Sequence, residues 1–153
     1  MKKCLICMIG GLLGLMGCGT KAPEGDLLSL EYTISGMRSG YEYEGHVEQG
    51  SDSAFVLTAM KESYGPLYQK RIGKEEVNGL RQIVLEAKMY GYKESYSPIF
   101  KVLDGYSWHL RVRFSDGTSI SSGGSNARPE GDGLKRLENY LNQLIADADS
   151  ILR

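Results

Sequence analysis

Cysteine is scarce in this 153-residue sequence, and its positions exclude most cysteine chemistry. The three cysteines are Cys4, Cys7 and Cys18, so the rest of the chain has none. If the segment before Cys18 is removed and Cys18 is modified, no thiol remains for a disulfide, a metal site or nucleophilic catalysis. The Cys4-x-x-Cys7 spacing also lacks the strand-to-helix context of a thiol redox motif.

The first hydrophobic run is too short to span a bilayer. Leu5 to Met16 is apolar apart from its glycines, whereas a transmembrane helix needs about 20 apolar residues. Lys2 and Lys3 precede this run, and a basic start followed by a short apolar segment is typical of a secretory signal. We therefore predict that residues 1–17 are a cleaved signal peptide and leave them out of the fold prediction.

Leu15-Met16-Gly17-Cys18 ends this run and resembles the lipobox of bacterial lipoproteins. In that family, a leucine three residues before an obligatory cysteine and a small residue directly before it guide transfer of a lipid to the thiol. Cleavage then leaves the cysteine as the first residue of the mature chain. Leu15, Gly17 and Cys18 match, while Met16 is bulkier than the usual occupant. The resemblance covers only the start of the chain, and it implies that Cys18 carries the lipid.

Lipid attachment would anchor the protein without a spanning helix. One acyl chain binds a membrane marginally, but a lipoprotein carries two or three, and each buried CH₂ contributes about 0.8 kcal/mol. Residues 18–25 would then be a lipidated tether, and residues 26–153 a single domain outside the cytoplasm. Gly19 stands where an aspartate would favour retention in the inner membrane of a two-membrane bacterium, so that retention signal is absent. Whether the cell has one membrane or two stays open.

No excess of positive charge points to a nucleic-acid partner. After loss of Lys2 and Lys3, 16 of the 18 basic residues remain against 19 acidic ones. No block of like charge predicts a disordered tail, and no internal repeat is present. Twenty glycines and ten tyrosines against three phenylalanines favour a turn-rich domain that contains a sheet.

Alternating apolar and polar residues predict antiparallel strands. Leu28 to Ser35 and Tyr41 to Glu48 both alternate, as half-buried strands do. Ala54 to Met60 is nearly all apolar, which is typical of a central strand. These three strands are predicted to form a meander, with Leu67 to Ile72 as a further short strand.

Tyr106 to Ser115 is the clearest strand in the sequence. Its apolar side chains alternate with four polar ones: Ser107, His109, Arg111 and Arg113. A three-residue turn, Ser115-Asp116-Gly117, would pair Val112 with Ile120 and keep both on the apolar face. A two-residue Asp-Gly turn would move Ile120 to the polar face. We therefore predict the longer turn, with Gly117 in the left-handed region.

Two segments predict amphipathic helices. Lys74 to Tyr90 repeats apolar residues every three or four positions and is followed by Gly91 as a stop. Gly133 to Leu152 does the same, with Asp132 as its N-cap, while Tyr92 to Pro98 is predicted to be irregular. The order of elements predicts an α+β fold. Both helices would pack on one face of an antiparallel meander sheet and leave the charged residues on the other face.

The second strand offers a first candidate site. Glu42, Glu44, His46 and Glu48 would share one face at about 7 Å spacing, so two or three could reach a divalent ion. A solvated strand face explains the same pattern, and no second cluster of histidine or aspartate is near in sequence. We therefore predict no metal site and no cofactor.

The second candidate is an anion-binding strip. His109, Arg111 and Arg113 are followed by a glycine-rich loop, Ser121 to Gly133, that contains Arg128. Guanidinium groups and backbone N–H groups together can receive a carboxylate or a phosphate. No Gly-Lys-Ser/Thr follows the loop, so it is not a nucleotide-binding phosphate loop. The arginines could instead pair with glutamates of a neighbouring strand, and both explanations stay open.

A third candidate is a set of aromatic side chains. Exposed rings could stack on cell-wall sugars or on a partner protein, but packing in the core and at edges is the commoner use of tyrosine in a sheet. The set consists of Tyr64, Tyr68, Tyr90, Tyr92, Tyr96 and Trp108.

The sequence contains no positive sign of an enzyme. It has two histidines, no Gly-x-Ser-x-Gly elbow and no His-Glu-x-x-His motif. The domain looks like those of many small bacterial lipoproteins of uncharacterised function, a likeness that implies no mechanism. We interpret the chain as a membrane-anchored lipoprotein whose extracytoplasmic domain binds an anionic ligand or an envelope protein. An extracytoplasmic hydrolase that uses His109 or His46 stays as the alternative.

Overall fold

The computed structural model describes residues 21–36, 42–62, 65–100, 102, 105–146, 148 and 150–151. The predicted signal peptide and Cys18 lie outside these residues, as do Tyr41, Tyr64 and Leu152. The predicted tether is described only from Lys21 onwards.

The strands of the described chain form one sheet. Its strand order is β5-β7-β6-β1-β2-β3-β4-β8, and every neighbouring pair is antiparallel except β5 and β7. The strands are β1 (Leu27–Gly36), β2 (Glu42–Gln49), β3 (Phe55–Met60), β4 (Leu67–Ile72), β5 (Ser95–Tyr96), β6 (Tyr106–Phe114), β7 (Ser119–Ser125) and β8 (Ser150–Ile151). Two α-helices, α1 (Lys74–Glu86) and α2 (Gly133–Leu144), accompany this sheet in the described residues, which confirms the α+β class.

The two faces of the sheet differ because side chains alternate along each strand. One face, here called the core face, carries buried residues such as Tyr32 on β1, Val47 on β2 and Leu110 on β6. The other face, here called the open face, carries polar side chains that alternate with these, such as Glu31 and Arg111.

Both helices bury their apolar stripes in the same core as the sheet. Their buried residues are Val77, Leu80 and Val84 on α1, and Leu134, Leu137, Leu141 and Leu144 on α2. The helices also touch through an ion pair, in which the Arg136 guanidinium donates to Glu86 Oε2 at 2.6 Å. Among the described residues, no helix is both long enough and apolar enough to cross a membrane.

The meander and the hairpin predicted from the sequence are confirmed. β1, β2 and β3 pair in order, and β4 follows as a further antiparallel strand. At the hairpin, Val112 pairs with Ile120, and Gly117 has a φ of 83°. The Gly117 N–H donates to the carbonyl of Phe114 at 3.2 Å, as the three-residue turn requires.

The first helix ends earlier than predicted. It was expected to continue to Tyr90 and stop at Gly91, but α1 ends at Glu86 and a short 3-10 turn covers Met89–Gly91. Lys88 between them adopts a left-handed φ of 50°, which breaks the helix and turns the chain so that Met89 is fully buried.

The second helix is also shorter than predicted. It ends at Leu144 rather than Leu152, and Ser150–Ile151 form β8 beside β4. The open edge of β4 supplies backbone partners that a longer helix would leave unpaired. Asp132 does occupy the N-cap position of α2, but its side chain makes no capping hydrogen bond.

Two segments that were predicted to be irregular contain strand. Within Tyr92 to Pro98, Ser95–Tyr96 pair in parallel with Gly123 and Gly124 of β7. The predicted loop from Ser121 to Gly133 is strand as far as Ser125. The sheet is therefore mostly, but not wholly, antiparallel.

Candidate functional site

The predicted strip of polar residues lies on the open face of β6. Because Trp108, Leu110 and Val112 are buried on the core face, the residues between them must point the other way. His109 and Arg111 are exposed there.

A groove of about 320 Å³ follows this strip where β5, β7 and β6 meet. His109 and Arg111 lie in its wall, together with Glu94 in the chain before β5. Serines supply much of the remaining lining: Ser95, Ser97, Ser107, Ser121 and Ser125. The groove thus combines one guanidinium, one imidazole, one carboxylate and several hydroxyls.

The groove is hollow because β7 presents only small residues to the open face. Ser121 pairs with Arg111, and Gly123 pairs with His109. The Gly123 N–H is already used, since it donates to the carbonyl of Glu94 at 3.0 Å. Long side chains therefore rise from β6 on one side of the groove, while β7 forms a low floor.

Arg111 is held only loosely by its nearest acidic neighbour. Its Nη1 lies 3.7 Å from Glu31 Oε2, and 68% of the Arg111 side chain is exposed. An exposed ion pair at this distance contributes little to stability. Most of the guanidinium N–H donors therefore stay accessible to a ligand.

Arg113 is more firmly engaged than Arg111. Its Nε donates to Ser29 Oγ at 2.8 Å, and its Nη2 lies 3.7 Å from Glu48 Oε1. A second hollow, of about 370 Å³, is lined by both arginines and by His46. Arg111 and Ser121 line both hollows and so connect them.

Arg128 is not brought to the groove. Its guanidinium lies over the ring of Tyr106, 4.6 Å from the centroid, in a cation–π contact. Tyr106 alternates with Ser107 and His109 along β6, so its ring belongs to the core-face side. The groove instead gains Glu94 and Ser97, which sequence reasoning missed because a two-residue strand leaves no periodic signal.

The acidic residues of β2 do not form a metal centre among the described residues. Glu44, His46 and Glu48 do lie on the open face, with His46 Nε2 3.9 Å from Glu48 Oε2. The side chain of Glu42 is outside the described set. Within that set, no three or more histidine, cysteine or acidic side chains come close enough to hold an ion.

The aromatic candidates that the structure describes pack against the core or against one another rather than standing exposed to solvent. Trp108 is fully buried, and its Nε1 donates to the carbonyl of Ala127 at 2.7 Å. The ring of Tyr96 lies 5.8 Å from that of Trp108, and Tyr92 meets Tyr96 edge-on. Tyr68 and Tyr90 are half-buried against the core.

The groove places His109 near several serines and Glu94, as a hydrolase would require. In the described part of the chain, however, the His109 imidazole has no hydrogen bond or ion pair that would orient it as a general base.

Comparison with known proteins gives no family for this chain. No family model matches it, and no curated protein matches it significantly.

Proposed function

We propose that this chain is a lipoprotein, anchored through Cys18 outside the cytoplasm of a bacterium, whose domain binds an anionic ligand on the open face. The anchor rests on the signal segment and the lipobox resemblance. The binding function rests on one observation: an exposed guanidinium, that of Arg111, stands in a groove lined by hydroxyls.

The chemistry of this groove fits a carboxylate or a phosphate. A guanidinium presents several N–H donors in a fixed plane and can hold two oxygens of such a group at once. Ser121 adds a hydroxyl in the same groove, whereas the Ser107 hydroxyl is already hydrogen-bonded to that of Ser35 at 2.8 Å. The nearest carboxylate, that of Glu31, lies beyond hydrogen-bond distance of the Arg111 guanidinium, so a ligand does not have to displace a strong internal bond.

The size of the groove limits the ligand. Ligand pockets usually enclose about 300–1,000 Å³, and the groove lies at the lower end of that range at about 320 Å³. It suits a phosphate group or a sugar acid, either free or at the end of a larger molecule. The bound group would lie between Arg111 on β6 and the floor of β7.

Titration with inorganic phosphate tests the binding proposal directly. We expect the backbone amide resonances of Ser121 and Gly123 to shift as phosphate is added, and the shifts to weaken as salt rises, because exposed charges are screened. Arg111→Gln should remove the shifts while leaving the fold intact.

The matched control is Arg71→Gln. Arg71 lies on β4 at the other side of the same sheet, where its Nη2 lies 3.1 Å from Asp52 Oδ2. Its replacement by glutamine changes the net charge of the protein by the same amount as Arg111→Gln. It should leave the phosphate shifts unchanged. Equal loss in both variants would show that phosphate senses only the overall charge, and the proposed site would be wrong.

A further inference from the structure

A strongly exposed apolar segment adjoins the groove. Ile99 is 95% exposed, Phe100 81% and Val102 48%, the most exposed large apolar side chains of the described chain. Ser97, two residues before Ile99, lines the groove itself. Exposed apolar residues grouped in this way mark interaction sites more often than chance surface. We call Ile99, Phe100 and Val102 the apolar rim.

The predicted tether joins the domain just before β1. The backbone N–H groups of Glu24 and Gly25 donate to Asp116 Oδ2 at 2.8 and 2.9 Å, and Arg81 Nε donates to the carbonyl of Gly25 at 2.8 Å. These bonds fix the chain just before β1 against the β6–β7 hairpin. The tether therefore starts from a defined point on the domain, with Pro23 already buried.

The anchor point and the apolar rim lie at opposite ends of β6. Leu27 pairs with Phe114 at one end, and Gly36 pairs with Tyr106, just after the rim, at the other. The eight residue steps between Tyr106 and Phe114 span about 27 Å at about 3.4 Å per residue. The groove, with His109 and Arg111, lies between these two ends.

A tether anchored at Cys18 would keep both ends of β6 within reach of the membrane. From Cys18 to Pro23 the chain can extend at most about 17 Å, since a residue spans at most about 3.3–3.6 Å. The domain can therefore lie with β6 along the bilayer surface but cannot move far from it. A tethered surface has a high effective concentration, so even a weak second contact is populated.

We propose that the ligand of the groove is an anionic amphiphile of the bilayer, a lipid whose phosphate lies beside Arg111 while the apolar rim enters the acyl region. This inference rests on the proposed function, because it assigns the source of the anion. It accounts for two neighbouring features at once: donors for a phosphate, and large apolar side chains that are exposed in the described fold. Basic side chains are attracted to anionic bilayers in the same way.

The processed full-length chain allows a clean test. Its cysteines other than the lipidated Cys18 are in the signal peptide, so one introduced cysteine would be the sole free thiol. We would label Val102→Cys with an environment-sensitive fluorophore and reconstitute the lipidated protein in phosphatidylcholine vesicles with and without phosphatidylglycerol. The matched control is Asn139→Cys, an exposed position on α2.

The expected result is quenching of the Val102→Cys label, but not of the Asn139→Cys label, by lipids that carry a nitroxide on the acyl chain. Quenching should be stronger with phosphatidylglycerol, and Arg111→Gln should remove this increase while Arg71→Gln keeps it. Replacing Ile99 and Phe100 by serine should abolish the quenching of the Val102→Cys label altogether.

Two results would overturn the inference in different ways. If the Val102→Cys label is not quenched although inorganic phosphate still shifts Gly123 and Ser121, the groove binds a soluble anion, and only the bilayer assignment is wrong. If neither quenching nor phosphate shifts occur, both the inference and the binding proposal fail. Mass spectrometry of the processed chain checks the anchor separately, because the tether can hold the domain at a membrane only if Cys18 carries a lipid.

Discussion

The imidazole of His109 occupies the space that a side chain at position 123 would need. His109 and Gly123 are paired on β6 and β7, and a Cβ built on Gly123 would lie 2.7 Å from His109 Nδ1 and 3.0 Å from the carbonyl oxygen of Trp108. Glycine at this position thus allows the ring to lie low over the floor of the groove. The shape of the groove depends on this pair.

Gly123→Ala is therefore expected to displace the His109 ring and to lower the free energy of unfolding. The expected loss is about 1 kcal/mol, the smallest cost that is typical when an extra methyl group is forced into a packed site. His109 is exposed and can move away, which keeps the loss small, while the Trp108 carbonyl cannot. Imidazole NMR shifts and urea denaturation would measure the two effects. In the His109→Ala background the same change should cost less; an equal cost in both backgrounds would contradict the close approach.

Asp116 is predicted to stabilise the domain in a pH-dependent way. Its carboxylate accepts N–H groups from Thr118, Gly25 and Glu24, which hold its pKa well below the ordinary value of an aspartate. A depressed pKa in the folded state gives stability that is present above the unfolded pKa of about 3.9 and is lost as pH falls further.

Asp116→Ala should accordingly lower the free energy of unfolding at neutral pH, and the difference from the parent should shrink as the pH falls below about 4. Urea denaturation across this range is the measurement. Glu130→Ala, an exposed carboxylate before α2, serves as the control and should show no such trend. A difference for Asp116→Ala that is the same at pH 7 and in acid would contradict the role assigned to these bonds.

Gly117→Val should destabilise the hairpin by about 1 kcal/mol or more, because a β-branched residue resists a positive φ. The φ of Gly117 is 83° in the hairpin. Ser119→Val, two residues later in the extended β7, introduces the same side chain without that penalty and should cost less. Thermal or urea unfolding of the two variants decides the point, and equal losses would mean that φ is not the cause.

Cys18→Ser should abolish metabolic labelling of the protein with a fatty acid and block its processing, because the thiol is the predicted site of lipid transfer. Cys7→Ser, within the predicted signal peptide, should label and mature normally. Labelling and membrane fractionation of the two variants check this directly. If the Cys18→Ser protein labels and fractionates like the parent, the predicted lipid anchor at Cys18 is wrong.

Local periodicity was enough to predict the elements whose pairing partners are close in sequence. The alternation from Tyr106 to Phe114 identified β6, and the need to keep Ile120 on the face of Val112 selected the correct turn. The same alternation placed His109 and Arg111 on the open face. These features could be read because a strand repeats every two residues and a register slip would expose a whole apolar face.

The ends of both helices could not be read in this way. Apolar residues continue with helical spacing to Tyr90 and to Ala148, yet the chain leaves the helix at Lys88 and again after Leu144. The first break buries Met89, and the second frees Ser150–Ile151 to pair with β4. Such gains come from partners far away in sequence, which local spacing does not report.

The sequence by itself determined the residue types of the site and the face on which Arg111 stands, because alternation along one strand is a local property. Only the tertiary structure decided that these residues border a groove, since the opposite wall comes from the chain around β5, which joins β7 through a parallel pair of two residues. It also moved Arg128 away to Tyr106 and brought Ser97, the neighbour of the apolar rim in the sequence, into the lining of the groove. Long-range backbone pairing fixes those positions, and no periodic pattern within a single segment encodes it.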